Sequence, residues 1–225
     1  MEYASVDPKL RTIFYTLDQE QSGTPRLQRR TTDCVLCHDG ASTGGVPGLM
    51  VRSVYPDNEG NAILRAGTFF TTDHSPWRER WGGWYVTGTH GDQPHMGNLL
   101  APNHVSALGT SAETYVSQIN LSLGSNIKDV RDNFESSRYL SPHSDIVALL
   151  VLTHQANLHN LITRAGYEAR IAIYEKEISA NAKDIRADQV PESLRNAIDA
   201  LVRAMFFSDE QRLTGPFPGG SQGNL

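Results

Sequence analysis

The residues best suited to chemistry are the two cysteines of the chain, which lie in the run Cys34-Val35-Leu36-Cys37-His38. The pattern Cys-x-x-Cys-His is a haem-attachment motif. In this motif each thiol adds to one vinyl group of the porphyrin, because the two-residue spacer places both sulfur atoms along one edge of the ring. The histidine then reaches the iron from the same side. The motif predicts one haem c, covalently attached through Cys34 and Cys37, with His38 as an iron ligand.

Three other uses of the two cysteines stay open. A zinc site would need two further ligands, which the eight histidines of the chain could supply. A redox pair of the thioredoxin type would need a βαβ context with the motif at the start of a helix, which the flanking sequence does not indicate. A disulfide across two residues would be strained. Because the three fixed positions all match, the haem motif is the most specific of these interpretations.

The second axial ligand of such an iron is less well defined, since Met and His both serve and Met raises the reduction potential. Met96 lies downstream of the motif in a loop-rich stretch and is the first candidate. The alternatives are His154, His90 and Met50. If the sixth position stayed open, His90 or His95 could assist peroxide chemistry as acid and base, and the protein would be a haem enzyme.

The stretch from residue 75 to residue 85 contains all three tryptophans of the chain. Trp81 pairs an apolar body with one polar donor, which suits the wall of a cofactor pocket. Arg80 could bind a haem propionate through charge-assisted hydrogen bonds. An aromatic core with surface arginines is the alternative interpretation of the same residues.

Regular elements are clearest in the second half of the chain. Ser141-Pro142 predicts the start of a helix that extends to about residue 180, and a second helix follows Pro191. Residues 111–120 and 126–139 are expected to be helical, and a hairpin is expected from 51–55 and 62–64. The predicted fold is mainly α with long irregular loops and a short β-hairpin, a cytochrome c-like haem region plus a helical region. Its parts are an N-terminal segment (1–24), the haem-binding region (25–105), the helical region (106–210) and a flexible tail (211–225).

The composition is that of a globular protein, with 39% hydrophobic and 20% charged residues among 225. A net charge of −5 argues against nucleic-acid binding, which needs a basic surface. No apolar run approaches the roughly 20 residues of a membrane-spanning helix, so no transmembrane segment is expected. The first five residues do not resemble an export signal. Because haem attachment normally follows export, we expect a periplasmic or otherwise exported protein, and a longer parent chain would explain the missing signal.

The motif at residues 34–38 resembles that of c-type cytochromes, and the wider chain resembles bacterial proteins that carry a cytochrome c domain. The similar stretches are residues 45–56, 80–88 and 144–149. The resemblance covers most of the chain and implies haem binding and electron transfer to a redox partner protein. It extends to individual residues only at Cys34, Cys37 and His38.

Overall fold

The computed structural model of the chain describes residues 1–20, 23–101, 119–179, 190–215 and 219–220. By their internal contacts the residues divide into two units. Unit 1 consists of Met1–Met50 and Gln155–Asp209, and unit 2 of Val51–His154 and Glu210–Leu225. The four regions predicted from the sequence (1–24, 25–105, 106–210 and 211–225) have other boundaries than these units.

Unit 1 begins with a three-stranded antiparallel sheet in the order β1-β2-β3. The strands are β1 (Glu2–Asp7), β2 (Arg11–Leu17) and β3 (Leu27–Arg30). In β2, Thr12 and Phe14 are buried whereas the residues between and beside them are less so. This alternation is the two-residue period of a strand with one covered face. Phe14 pairs with Ala4 on one side and with Arg30 on the other.

A single helical turn follows the sheet, α1 (Val35–His38), and leads into two short paired strands, β4 (Asp39–Gly40) and β5 (Val46–Pro47). The return between these strands uses Gly44 and Gly45 at φ of +74° and +76°. Glycine adopts this left-handed backbone without steric cost. The tight return brings Gly48 back to α1, where its N–H donates to the His38 carbonyl at 2.9 Å.

Two longer helices follow, α2 (Ile146–Ser179) and α3 (Glu192–Met205). The carboxylate of Asp145 accepts hydrogen bonds from the backbone N–H of Val147 and of Ala148. Asp145 is therefore the cap, and α2 begins four residues after the predicted Pro142. The start of α3 directly after Pro191 agrees with the sequence.

Unit 2 is built mostly from irregular backbone. Its paired strands are β6 (Arg52–Val54) with β7 (Thr68–Phe70), and β8 (Gly88–Thr89) with β9 (Gly219–Gly220). The predicted hairpin is present only as an isolated bridge between Pro56 and Ala62. A 3-10 turn at Leu64–Ala66 removes these residues from any strand, so the partner of β6 lies further along the chain.

Two apolar clusters form the core of unit 2, one of Tyr55, Ala66, Met96, Leu99 and Ala101, the other of Trp77, Trp81, Val86, Ile146 and Leu149. Polar side chains hold the irregular backbone between them. The hydroxyl of Ser53 accepts from the N–H of Gly82 at 2.7 Å, and the amide of Asn98 bonds to both backbone groups of Val86. The irregular segment is thus ordered by its own side chains.

The prediction of a mainly α, cytochrome c-like fold is wrong. The described residues form one three-stranded and three two-stranded antiparallel sheets, with three α-helices of which α1 is a single turn. Strands β1 and β3 of unit 1 have no buried residue, so their sequences lack the alternation of buried and exposed side chains that predicts a strand. Residues 126–139 contain only a 3-10 turn at Ser136–Arg138, and most of the predicted helix at 111–120 lies outside the described residues.

Helix α2 contains one stretch, Ile146–Lys176, that is long and apolar enough to cross a membrane by length and composition. A long core helix of a soluble protein can have the same length and apolar composition. The prediction that the chain has no transmembrane segment is therefore not confirmed.

Candidate functional site

The imidazole of His38 is held in a fixed orientation in unit 1. Its Nδ1 lies 2.9 Å from the carbonyl oxygen of Gly48, which can only accept, so Nδ1 carries the ring proton. The ring also packs against buried Phe14 of β2, with centroids 4.7 Å apart. This arrangement leaves Nε2 as the nitrogen with a lone pair, and a backbone carbonyl on the other nitrogen is the usual support of a metal-binding histidine.

The loop that orients His38 is itself fixed by helix α2. The side chain of Asn160 accepts from the N–H of Leu49 at 2.8 Å and donates to the Leu49 carbonyl at 2.7 Å. A Cβ added at Gly48 would collide with the Asn160 amide. Gly48 is required here because of this close approach.

Both thiols line one cavity of about 560 Å³ with His38. The cavity wall also includes residues from all three strands of the sheet, Glu2, Tyr3, Ala4, Phe14, Thr16 and Arg30, and Asp33 before α1. Arg30 is held in the wall by a hydrogen bond from its Nε to the Thr16 hydroxyl at 2.8 Å. The cavity thus combines soft sulfur donors, one imidazole and charged side chains of both signs.

The thiols do not fit the predicted haem c. Cys34 is a half-buried and Cys37 an exposed free thiol. Among the described residues, no set of ligand atoms within 4.8 Å of one another includes these cysteines and His38. The wall opposite them comes from a sheet, and no described residue of α2 or α3 belongs to the cavity wall as the helices around a cytochrome c ring would. The prediction of a haem covalently attached through Cys34 and Cys37 is therefore corrected.

The predicted methionine ligands lie in different surroundings. Met96 is buried in an apolar cluster of unit 2, in contact with Tyr55 and Leu99 among others. Met50 is the last residue of the first segment of unit 1, and its sulfur lies 3.1 Å from the hydroxyl of Ser42. The structure places Met50 in the same unit as His38, whereas Met96 packs as a core residue.

His90 and His95 form a buried pair in unit 2, with their Nε2 atoms 3.0 Å apart. His95 Nδ1 accepts from the Gly97 N–H, so His95 Nε2 carries a proton and donates to His90. His90 Nε2 also accepts from the N–H of Asn126. Burial is the larger cause that lowers the pKa of His95 to about 3, and the charge of His90 is the smaller one. Burial also lowers the pKa of His90. Both rings are neutral at pH 7 and bind each other.

Trp81 and Arg80 are both buried, but their partners are protein groups. Trp81 packs edge-on against Trp77 and against His95. The guanidinium of Arg80 donates to the backbone carbonyls of Asp73 and Ser75 at 2.7 and 2.9 Å. Burial lowers the pKa of Arg80, whereas the nearby carboxylates oppose this shift.

His154, predicted as an alternative iron ligand, binds a residue that the sequence analysis missed. Its Nδ1 lies 2.8 Å from the buried carboxylate of Asp73. Glu210 brings a second carboxylate to the same place. The acidic residues are separated from His154 by more than fifty positions, so no local spacing could reveal the set.

No family model, no curated protein and no solved structure matches the chain. These comparisons do not test the resemblance to c-type cytochromes, which stays a prediction.

Proposed function

We propose that this protein binds a redox-active metal in the cavity of unit 1 and acts in electron transfer. The observation that supports this proposal is the orientation of His38, whose Nδ1 donates to the Gly48 carbonyl while Cys34 and Cys37 line the same cavity. Thiolate and imidazole ligands together suit iron, copper and zinc, of which iron and copper carry electrons.

To share a metal ion, the sulfur atoms of Cys34 and Cys37 would have to move towards the His38 imidazole, because the three ligand atoms do not all lie within 4.8 Å of one another. Cys37 is exposed and Cys34 only half-buried, so a change of χ1 rotamer is the movement most open to each sulfur atom. His38 is the fixed partner, because Gly48 and Phe14 hold its ring. Cys34, Cys37 and His38 would hold the metal ion, and an iron or copper ion would supply the change of oxidation state there.

The surroundings also suit exchange of electrons with another protein. An electron passes between proteins only over a short distance, so a metal beside the exposed Cys37 is well placed. Glu2, Arg30 and Asp33 line the cavity and supply charges of both signs for docking. We also propose that the chain exchanges electrons with a partner protein, that it is exported and that it does not bind nucleic acid.

The first test is metal analysis of the purified full chain, with visible spectra of its oxidised and reduced forms. We expect about one iron or copper per chain, and a spectrum that changes on reduction. The double variant Cys34→Ser/Cys37→Ser and the variant His38→Gln should lose this metal. His143→Gln is the matched control, because His143 Nδ1 also bonds a backbone carbonyl, that of Lys128, but does not line the cavity.

Two results would contradict the account. Bound zinc without a redox-active metal would support the structural zinc alternative and refute electron transfer. A Soret band that stays with the unfolded chain would show a covalently attached haem in place of a metal ion bound directly by Cys34, Cys37 and His38.

A redox-active dithiol is the second candidate, and the free thiols at Cys34 and Cys37 favour it. Cys34 caps α1 and Cys37 lies three residues later, so the two residues occupy positions i and i+3 of one helical turn. The pair would form a disulfide by giving two electrons and two protons to the disulfide of a partner protein. The peroxidase-like alternative is not favoured, because His90 and His95 are buried and bind each other.

A further inference from the structure

Unit 2 brings together three side chains of the types that bind metal ions. Asp73 follows β7, His154 lies on α2, and Glu210 begins the last segment of the unit. One ligand atom from each lies within 4.8 Å of the others, and no other such set occurs among the described residues. This site is separate from the cavity of unit 1 and does not depend on the function proposed for it.

The distance between two of these ligand atoms resembles that in a metal centre. Nδ1 of His154 and a carboxylate oxygen of Asp73 are 2.8 Å apart. Two ligands that each lie ~2.1 Å from one ion are separated by ~3 Å, so these atoms need little movement to share an ion. The Asp73 and His154 side chains are only 4% and 15% exposed, whereas Glu210 is exposed and gives access from solvent.

Hydrogen bonds to the backbone of Asp73 support this arrangement. The Asp73 carbonyl accepts from Nη2 of Arg80 at 2.7 Å and from the N–H of Gln211 at 2.9 Å. The second bond fixes Glu210 beside Asp73. Arg80 offsets one of the two carboxylate charges, so the set keeps one net negative charge when His154 is neutral. A divalent cation is attracted to such a set and finds its first ligands already positioned.

We propose that Asp73, His154 and Glu210 bind a divalent transition-metal ion through two carboxylates and one imidazole. The mixed nitrogen and oxygen ligands select Zn²⁺, Mn²⁺ or Fe²⁺ over Ca²⁺, which takes oxygen ligands only. Solvent completes the coordination on the side of Glu210. A site with three protein ligands and open positions can polarise a bound water or substrate oxygen.

The test is titration of the full chain with Zn²⁺ in the Cys34→Ser/Cys37→Ser background, which removes the thiols of unit 1. We expect one Zn²⁺ per chain. The variants Glu210→Gln and His154→Gln should each weaken binding roughly tenfold or more. Glu210 is exposed, so its substitution leaves the fold intact, which circular dichroism would verify. His143→Gln is the control with unchanged affinity, because His143 lies outside the set.

Spectra of the Co²⁺ form in the same background provide a second readout. We expect the weak visible bands of nitrogen and oxygen ligation, without the intense near-ultraviolet band of thiolate ligation. Absence of Zn²⁺ binding in this background would overturn the proposal. Equal affinities of the Glu210→Gln and parent chains, or Ca²⁺ binding as tight as Zn²⁺ binding, would also overturn it. Loss of metal only in the cysteine variants would refute this site while leaving the proposal for unit 1 intact.

Discussion

Acid should destabilise unit 2 because of the buried pair His90 and His95. Both rings are inaccessible to solvent, and each relies on a neutral partner for the bond between their Nε2 atoms. Protonation of either ring would put a charge into this buried environment. Burial, followed by the charge of His90, lowers the pKa of His95 from 6.5 to about 3. The unfolded chain keeps the ordinary histidine pKa.

The sign of the effect follows from these two values. Between pH 6.5 and pH 3 the unfolded state binds a proton at His95 that the folded state does not bind. The stabilisation is therefore fully present above pH 6.5 and is lost as the pH falls towards 3. The slope is about 1.4 kcal/mol per pH unit, so roughly 3 kcal/mol disappears between pH 6.5 and pH 4. His90 contributes in the same direction, since burial lowers its pKa as well.

Urea unfolding measured by tryptophan fluorescence from pH 7.5 to pH 4 would test this prediction. The three tryptophans lie in unit 2, two of them in the cluster that contacts His95. The variant His95→Gln retains a donor towards His90 but does not titrate. We expect it to lose about 1–2 kcal/mol at pH 7.5 and to show a flatter pH dependence than the parent. Equal slopes for the two proteins between pH 6.5 and pH 4.5 would refute the reasoning.

Three substitutions test the packing that positions the sites. Gly48→Ala should lower the free energy of unfolding by about 1–3 kcal/mol, because its methyl group collides with the Asn160 amide; thermal unfolding would measure the loss, and an unchanged midpoint would contradict it. Asn160→Leu should lower the free energy of unfolding by about 2–4 kcal/mol in urea, because it leaves both backbone groups of Leu49 without their partner. A loss below about 0.5 kcal/mol, the usual error of such a measurement, would show that these bonds do not stabilise the fold. Ser53→Ala should cost about 1–2 kcal/mol by deleting the acceptor of the buried Gly82 N–H, whereas a neutral result would indicate another acceptor.

Some features of the fold could be predicted from sequence because their signals are local. The apolar spacing after Pro191 predicts α3, and the run after residue 145 predicts α2, although the cap is Asp145. The sheet of unit 1 could not be predicted, since β1 and β3 carry no buried side chain. The pairing of β8 with β9 joins residues more than one hundred positions apart, and no local pattern encodes such a contact.

In the candidate sites, too, local spacing could be predicted from the sequence but contacts between distant residues could not. The spacing of Cys34, Cys37 and His38 identifies the donors of unit 1, but it does not specify which group they bind. The proton on Nδ1 of His38 is fixed by the Gly48 carbonyl, which the turn after β4 places beside the ring. Only the structure reveals this contact. The set around His154 is assembled from three distant segments, so the sequence indicated the histidine and not its acidic partners.

A spectroelectrochemical titration of the purified, metal-containing chain tests the central claim most directly. We expect a single one-electron transition, with about 59 mV per tenfold change in the ratio of oxidised to reduced protein. The transition should disappear in Cys34→Ser/Cys37→Ser and persist in His143→Gln. A two-electron transition of about 30 mV per tenfold in metal-free protein would assign the activity to the dithiol. Absence of any transition that depends on these cysteines would contradict electron transfer at this cavity.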